Sequence, residues 1–402
     1  MEKVLVLDCE TESIEKGHPF HPDNFMCTVH YFSFVTKEIG TIKFHHPTPD
    51  YAVGDKVEQL QKMIDDHDIL VGFNFKFDLH WFRRYGVKFE SKEIRDVQFL
   101  YGKLNHCLNK MPSLDHVLEE LGLPKKLDIL KEYWDRGIKT SQVPYDELVL
   151  YGETDIKRTT KAYARLWREL KSRADPALDN LFRISMVDLL FLEEAEWNGM
   201  LYNLVKGEEV RVQLEQELVE TDEEIKSYVP EIAKETFNPG SGDQLSALLY
   251  GGKVPHTYYT KIGVFKTGQR AGQDKYKKVT DLVTLQGFVK PRDKWKTKKD
   301  GIYQTNADIL DFIVAKARGK GQRIAELART RAKLNKTLSS YSRKIPVLVE
   351  QKGWEKTPDG RAYLHGNLNM CVAITGRLSS SDPNQQNIDG RIKYLFESRY
   401  DD

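Results

Sequence analysis

The sequence predicts an α/β domain followed by a mostly α-helical one that carries a β-rich insertion. Three observations point there: strand-like and helix-like segments alternate through about residue 180, long helical periodicity takes over from about Leu181, and that periodicity fails between Tyr250 and Tyr303. In the first part, Val4–Leu7, Phe25–Phe34 and Ile69–Phe73 are short runs of apolar, β-branched or aromatic residues, as strands require. Leu79–Tyr85 and Tyr145–Leu170 instead repeat their apolar residues at helical spacing. In the second part, LFRISMVDLLFLEEAEWNG and GEEVRVQLEQELVETDEEIKSYV read as two long helices, with Asn198-Gly199 as the breaker between them. The insertion is rich in Gly, Thr, Tyr, Val and Lys, and VFKTGQRAGQDKYKKV within it reads as a hairpin. Helix is expected to resume at Asn306 and run to about Ile345, with Leu334, Leu338, Tyr341 and Ile345 as one apolar stripe flanked by Arg331, Lys333, Lys336 and Lys344.

With 402 residues, 40% hydrophobic and 11% aromatic, the chain has material for real cores and is not a disordered polypeptide. Lys and Arg total 61 against 60 Asp and Glu, a net charge of +1 that excludes a uniformly basic nucleic-acid coat and an acidic tail protein. The balance hides asymmetry. Residues 251–300 hold 13 basic and 4 acidic side chains, and residues 316–344 hold 10 and 1, which leaves −17 for the remainder. One part is suited to a polyanion, and the rest repels one unless cations intervene. Cys9, Cys27, Cys107 and Cys371 lack metal-site or disulfide-framework spacing, so a reducing compartment is expected. No signal-like segment opens the sequence and no apolar run approaches the roughly 18 residues of a membrane span. A soluble, cytoplasmic protein is expected.

Three short motifs carry chemistry. Asp8 and Glu10, two apart at the end of an apolar strand, point to one side and can share one metal ion, although Asp-x-Glu at a strand end is more often a solvated turn. In ILVGFNFKFD, the strand leads to Asn74, Lys76 and Asp78, the last of which can also serve simply as an N-terminal charge on the next helix. In YGETD, Tyr151 and Asp155 are one helical turn apart.

Taken in order, Asp-x-Glu, Asn-x-Lys-Phe-Asp and Tyr-x-x-x-Asp resemble the three motifs of the proofreading 3′–5′ exonucleases with a tyrosine-type third motif. The resemblance implies an RNase H-like α/β exonuclease domain at 1–180, a mixed sheet with flanking helices. It also implies that Asp8, Glu10, Asp78 and Asp155 bind two divalent cations, Mg2+ or Mn2+, with Tyr151 orienting the attacking water and Asn74 and Lys76 touching DNA. Two metals about 4 Å apart activate water and stabilise the leaving 3′ oxygen, and they supply the positive charge that an acidic domain lacks.

EWNGM at 196–200, FNPGSGDQL at 237–245 and KLNKTLSSYSRKIP resemble, in that order, the thumb of family A (Pol I-like) DNA polymerases. HGNLNMCVAITGRLSSSDPNQQNI, 365–388, resembles the segment that enters their palm, although Gln385 and Asp389 stand where the family has Leu and Pro. The resemblance implies a helical thumb at 181–364 with a basic insertion at 251–303, and the start of a palm at 365–402. Lys333 and Lys336 would contact phosphates, and Arg377, Asn384 and Gln386 the minor groove, where acceptors common to all base pairs test geometry. The insertion is expected either to extend the grip on duplex DNA or to bind a processivity factor. The later family motifs, a palm aspartate, a fingers helix and a His-Asp-Glu turn, have no counterpart in the sequence. It resembles the amino-terminal part of such an enzyme, of phage type.

The expected function is therefore a proofreading exonuclease and primer–template-binding portion of a replicative polymerase, split so that a second chain supplies palm and fingers and gives Leu395 and Phe396 the sheet they lack. The alternatives are a clamp-like DNA-binding subunit with a vestigial exonuclease, or a truncated form of a full polymerase. Substrates would be primer–template and single-stranded 3′ ends, in a host cytoplasm if the gene is a phage's.

Overall fold

The computed structural model describes residues 2–48, 53–108, 110–125 and 129–400. They form two compact units, Met1–Val205 with Lys344–Asp402, and Lys206–Arg343. These limits differ from the expected 1–180, 181–364 and 365–402. The reason is a buried charge network, described below, that fastens the helix before residue 199 and the segment after residue 364 to the helix Lys76–Arg84.

In the first unit, strands β1 (Val4–Thr11), β2 (Met26–Ser33), β3 (Ile39–Lys43), β4 (Ile69–Gly72) and β5 (Glu93–Asp96) form a mixed sheet in the order β3-β2-β1-β4-β5. β1 is antiparallel to β2 and parallel to β4. The flanking helices are α1 (Gly54–Asp65), α2 (Lys76–Arg84), α3 (Val97–Leu104), α4 (Leu114–Glu120), α5 (Ile129–Asp135), α6 (Tyr145–Ser172) and α7 (Pro176–Asn198). Leu5, Leu7, Leu70 and Val71 of the sheet and Phe75, Leu79 and Phe82 at α2 are fully buried in one core. At about 25 cal/mol per Å2, burying each such side chain stabilises the fold by roughly 1.5–3 kcal/mol. The expected mixed sheet with flanking helices is present.

After Gly199, whose positive φ of 65° ends α7, the chain enters β6 (Met200–Asn203) and α8 (Leu204–Lys226). The second unit takes over within α8. It contains α9 (Glu231–Lys234), α10 (Gly242–Tyr250), the antiparallel hairpin of β7 (Gly252–Val264) and β8 (Asp274–Leu285), then α11 (Ala307–Lys316) and α12 (Lys320–Thr337). Ser241 caps α10 and Asn306 caps α11 through side-chain oxygens. Leu248, Leu249, Ile313, Ile324 and Ala325 form the core. The continuous helix expected from Asn306 to Ile345 is interrupted. Gly319, at φ 65° and ψ −141°, separates α11 from α12, and a π turn at Leu338–Ser342 precedes α13 (Lys344–Lys352). The four stripe residues are nevertheless buried.

The chain then returns to the first unit through β9 (Arg361–Leu364), β10 (Asn367–Asn369), β11 (Ser379–Ser381) and β12 (Phe396–Glu397). β6 lies between β12 and β9 in a three-stranded sheet, and β10 pairs with β11. Leu395 and Phe396 therefore do not lack a sheet: Leu395 is buried, while Phe396 pairs with Tyr202 on β6 and packs edge-on against its ring.

Candidate active site

The carboxyl ends of β1 and β4 and one face of α6 converge on a cavity of about 340 Å3 lined by Asp8, Glu10, Asn74, Asp78, Tyr151 and Asp155, among others. Asp8 and Glu10 alternate with buried Cys9 and so share a side of β1, opposite His30 and Thr28 of β2. Helix α6 crosses that same side. Gly152 makes the close approach possible: a Cβ there would lie 2.1 Å from the His30 ring. Its neighbour Tyr151 and, one turn on, Asp155 are thereby brought into the cavity, both buried.

Between β4 and α2 the chain turns at Asn74, whose φ of 54° is tolerated by Asn far better than by most side chains. Asp78 then lies in the first turn of α2, where one carboxylate oxygen accepts the Cys9 backbone amide at 2.8 Å. This bond ties the second motif directly to the first. The turn is braced from β5: Asp96 accepts the Phe75 amide at 2.7 Å and the Phe99 amide at 3.1 Å, so it caps α3 and holds the entry to α2 together. Sequence reasoning missed Asp96. Its signal was an Asp directly before the apolar helical run Val97–Leu104.

The electrostatics are those of crowded like charges. Asp78 is raised well above the ordinary carboxylate value, first by burial and then by the charge of Asp8. Burial, followed by Glu10, Asp155 and Asp8, likewise raises the Tyr151 hydroxyl, which hydrogen-bonds to Asp155. Burial and Asp78 hold the Cys9 thiol protonated, which removes it as a nucleophile. Among the described residues lining the cavity none is Lys, Arg or His. Four acids on one cavity are a donor set that fits hard divalent cations. In the present side-chain arrangement, no three His, Cys, Asp or Glu among the described residues converge closely enough to hold an ion.

A larger cavity, about 610 Å3, adjoins this one and shares Cys9, Glu10 and Phe77 with it. Phe77, Trp134 and Ile138 give it apolar walls, and Lys16 adds a cation. The wall at Thr140–Gln142 is tethered just past the end of β1 by a 2.5 Å hydrogen bond from Ser141 to the buried carboxylate of Glu12.

Lys76 lies at the junction of α2 with α7 and β10. Its ammonium is bound to Glu196 at 2.5 Å and to the Leu368 carbonyl at 2.6 Å, because α2 turns this side toward α7 and β10 rather than toward open solvent. The same network holds His80 between Glu193 at 3.1 Å and Glu196 at 2.8 Å, with Arg83 forked onto Glu193. Burial opposes the His80 cation, yet its bonds to the two glutamates raise it above the ordinary imidazole value. For Glu193 and Glu196 burial is likewise outweighed, by His80 together with Arg83 and Lys76 respectively, and both are lowered.

The remaining sequence candidates lie elsewhere. Lys333 and Lys336 are exposed on α12, while Arg331 beside them is engaged by Asp222 at 2.6 Å. Arg377 and Gln386 are exposed, and Asn384 accepts the Gln386 amide at 3.2 Å through its side chain. Among the described residues no helix is long and apolar enough to cross a membrane.

Comparison with known proteins divides the chain in two along the sequence. Residues 2–171 match the family described as 3'-5' exonuclease, and residues 208–400 match DNA polymerase family A. A DNA polymerase I of Chloroflexus aurantiacus is 27% identical over 332 residues, covering 81% of this chain and 29% of that one. A thermostable DNA polymerase I of Thermus thermophilus is 36% identical over 93 residues, 23% of this chain and 10% of the other. The chain thus spans less than a third of the length of these relatives. In fold it is similar to the POL domain of Pol1 from M. smegmatis, solved in complex with DNA primer-template and dNTP, with TM-score 0.59, 16% identity, and coverage of 98% of this chain and 53% of that one.

Proposed function

We propose that this chain, in which a 3′–5′ exonuclease segment precedes a family A DNA polymerase segment, removes nucleotides from DNA 3′ ends and holds primer–template. The observation that carries this is the gathering of Asp8, Glu10, Asp78 and Asp155 around one cavity, beside a larger cavity with aromatic walls. Asp8, Glu10, Asp78 and Asp155 would hold the divalent cations. Bound there, such ions neutralise the carboxylates, activate water and stabilise the departing 3′ oxygen. The protein's own part is positional: Tyr151, fixed against Asp155, orients water by its hydroxyl, and Phe77, Trp134 and Ile138 receive an unpaired base where a paired one would not fit. Release of mononucleotide from a 3′-labelled single strand with Mg2+ tests this, and the absence of release would leave a DNA-binding subunit without nuclease activity.

Lys333 and Lys336, exposed on α12, would meet duplex phosphates, and Arg377, Asn384 and Gln386 the minor groove. Nucleotide addition is assigned to this chain only in company with a second polypeptide bearing palm and fingers. In support, β12 ends its sheet, with an edge to which a further strand can add. Primer extension by the chain alone would overturn that assignment. Extension only on mixing with the product of an adjacent reading frame would bear it out.

A further inference from the structure

The β7/β8 hairpin is anchored only at its base. Val254 and Leu285 are buried in the core of the second unit, whereas most side chains from Tyr259 through Lys278 stand in solvent. A two-stranded ribbon gains little stability by itself, so exposed rings along it are not explained by folding.

The register sorts those rings. Tyr259 lies opposite Lys278, and Lys261 opposite Tyr276. Side chains alternate between the two faces, so these four project from the same one, two rings on one diagonal and two ammonium groups on the other. Tyr259 is 68% and Tyr276 55% exposed. Asp274, at the tip end, binds Lys261 at 2.6 Å and accepts the Tyr276 hydroxyl at 3.4 Å, which steadies that pair without covering the ring. On the opposite face the aromatic side chains are used internally: Tyr258 donates to Asp281 at 2.9 Å and stacks on His256.

From these observations we propose that the Tyr259, Lys261, Tyr276 and Lys278 face of the hairpin is a stacking platform for single-stranded DNA. Exposed rings bind the flat faces of unpaired bases, which a duplex hides within its own stack, and alternating cations follow the phosphates. Charge favours this occupant over an apolar protein surface, because residues 252–285 carry seven Lys or Arg against two Asp. The platform lies in the second unit and belongs to none of the residues of the carboxylate cavity.

The test is fluorescence anisotropy of the full chain with a labelled, circularised oligo(dT) in EDTA, which offers no 3′ end to the exonuclease cavity and cannot be digested. Tyr259→Ala/Tyr276→Ala should weaken binding by about tenfold or more, with duplex affinity nearly unchanged. Tyr259→Trp/Tyr276→Trp should restore it, and Lys261→Gln/Lys278→Gln should flatten the salt slope by roughly 1.4. Unchanged affinity for the circle in the double Ala variant, its circular dichroism intact, would overturn the proposal and turn the face toward a protein partner such as a processivity factor. Equal losses on circle and duplex would overturn it as well.

Discussion

One side of α2 brings Asp78 to a cavity shared with Asp8, Glu10 and Asp155, whereas its other side brings Lys76, His80 and Arg83 onto Glu193 and Glu196. The same nine-residue helix thus borders two buried acidic regions with opposite electrostatics. In the cavity, like charge and burial push a carboxyl up; at the junction, cations bring carboxyls down. Buried acids bonded to cations make a joint, and buried acids crowded by like charge are poised to take up cations from solution.

The largest expected effect comes from the cavity side. Asp8→Ala, or Asp155→Ala, should lower nucleotide release by roughly 10³-fold or more, while thermal stability stays level or rises because like charges have been removed. A variant that lost stability in proportion to activity would break the contrast. At the joint, Glu193→Gln should cost about 3–5 kcal/mol in denaturant unfolding at neutral pH, since it leaves His80 and Arg83 without their shared anion.

Acid sharpens the same comparison. Glu193 and Glu196 are lowered in the folded state, so their contribution is complete above the unfolded value and is lost as pH falls through the folded one. The stability gap between the parent chain and Glu193→Gln should therefore narrow steadily below about pH 4, and a constant gap would deny the glutamate its ionic role. A smaller change is expected for Tyr151→Phe: about a tenfold slower release, the loss of one water-orienting hydrogen bond, with the fold unaffected. The smallest lies far from both regions. Lys333→Gln/Lys336→Gln should reduce the salt slope of duplex binding by about two units, leaving single-strand hydrolysis at its parent rate.

The site's carboxylates were legible because each motif sits at a predictable place on its element: alternation put Asp8 and Glu10 on one side of β1, and helical spacing put Tyr151 and Asp155 on one face of α6. The joint was not legible. Glu193 and Glu196 lie in a run that reads simply as a long helix, and nothing local announces that cations more than a hundred residues earlier will cover them. For the same reason Lys76 was read as a DNA ligand. β5 escaped notice because EIRD is mostly charged; its Arg95 is buried only because Glu2, Glu93 and the Tyr163 hydroxyl surround the guanidinium. The hairpin was visible as a break in periodicity, yet which side chains share a face depends on register, and that is fixed by the turn and the bulge between Lys261 and Gly263.

The joint also has a consequence for biosynthesis. Glu196 is completed by the backbone of Leu368, whose amide donates to it and whose carbonyl holds its partner Lys76, so the two halves of that contact leave the ribosome far apart in time. At about 5–20 residues per second, on the order of ten to thirty seconds pass between them. During that interval α7 carries a buried-type glutamate with part of its setting still unmade, while Lys206–Arg343 can fold as a separate body on the tether. Maturation of the amino-terminal unit is thus coupled to the translation of a segment about 270 codons downstream of its own sheet.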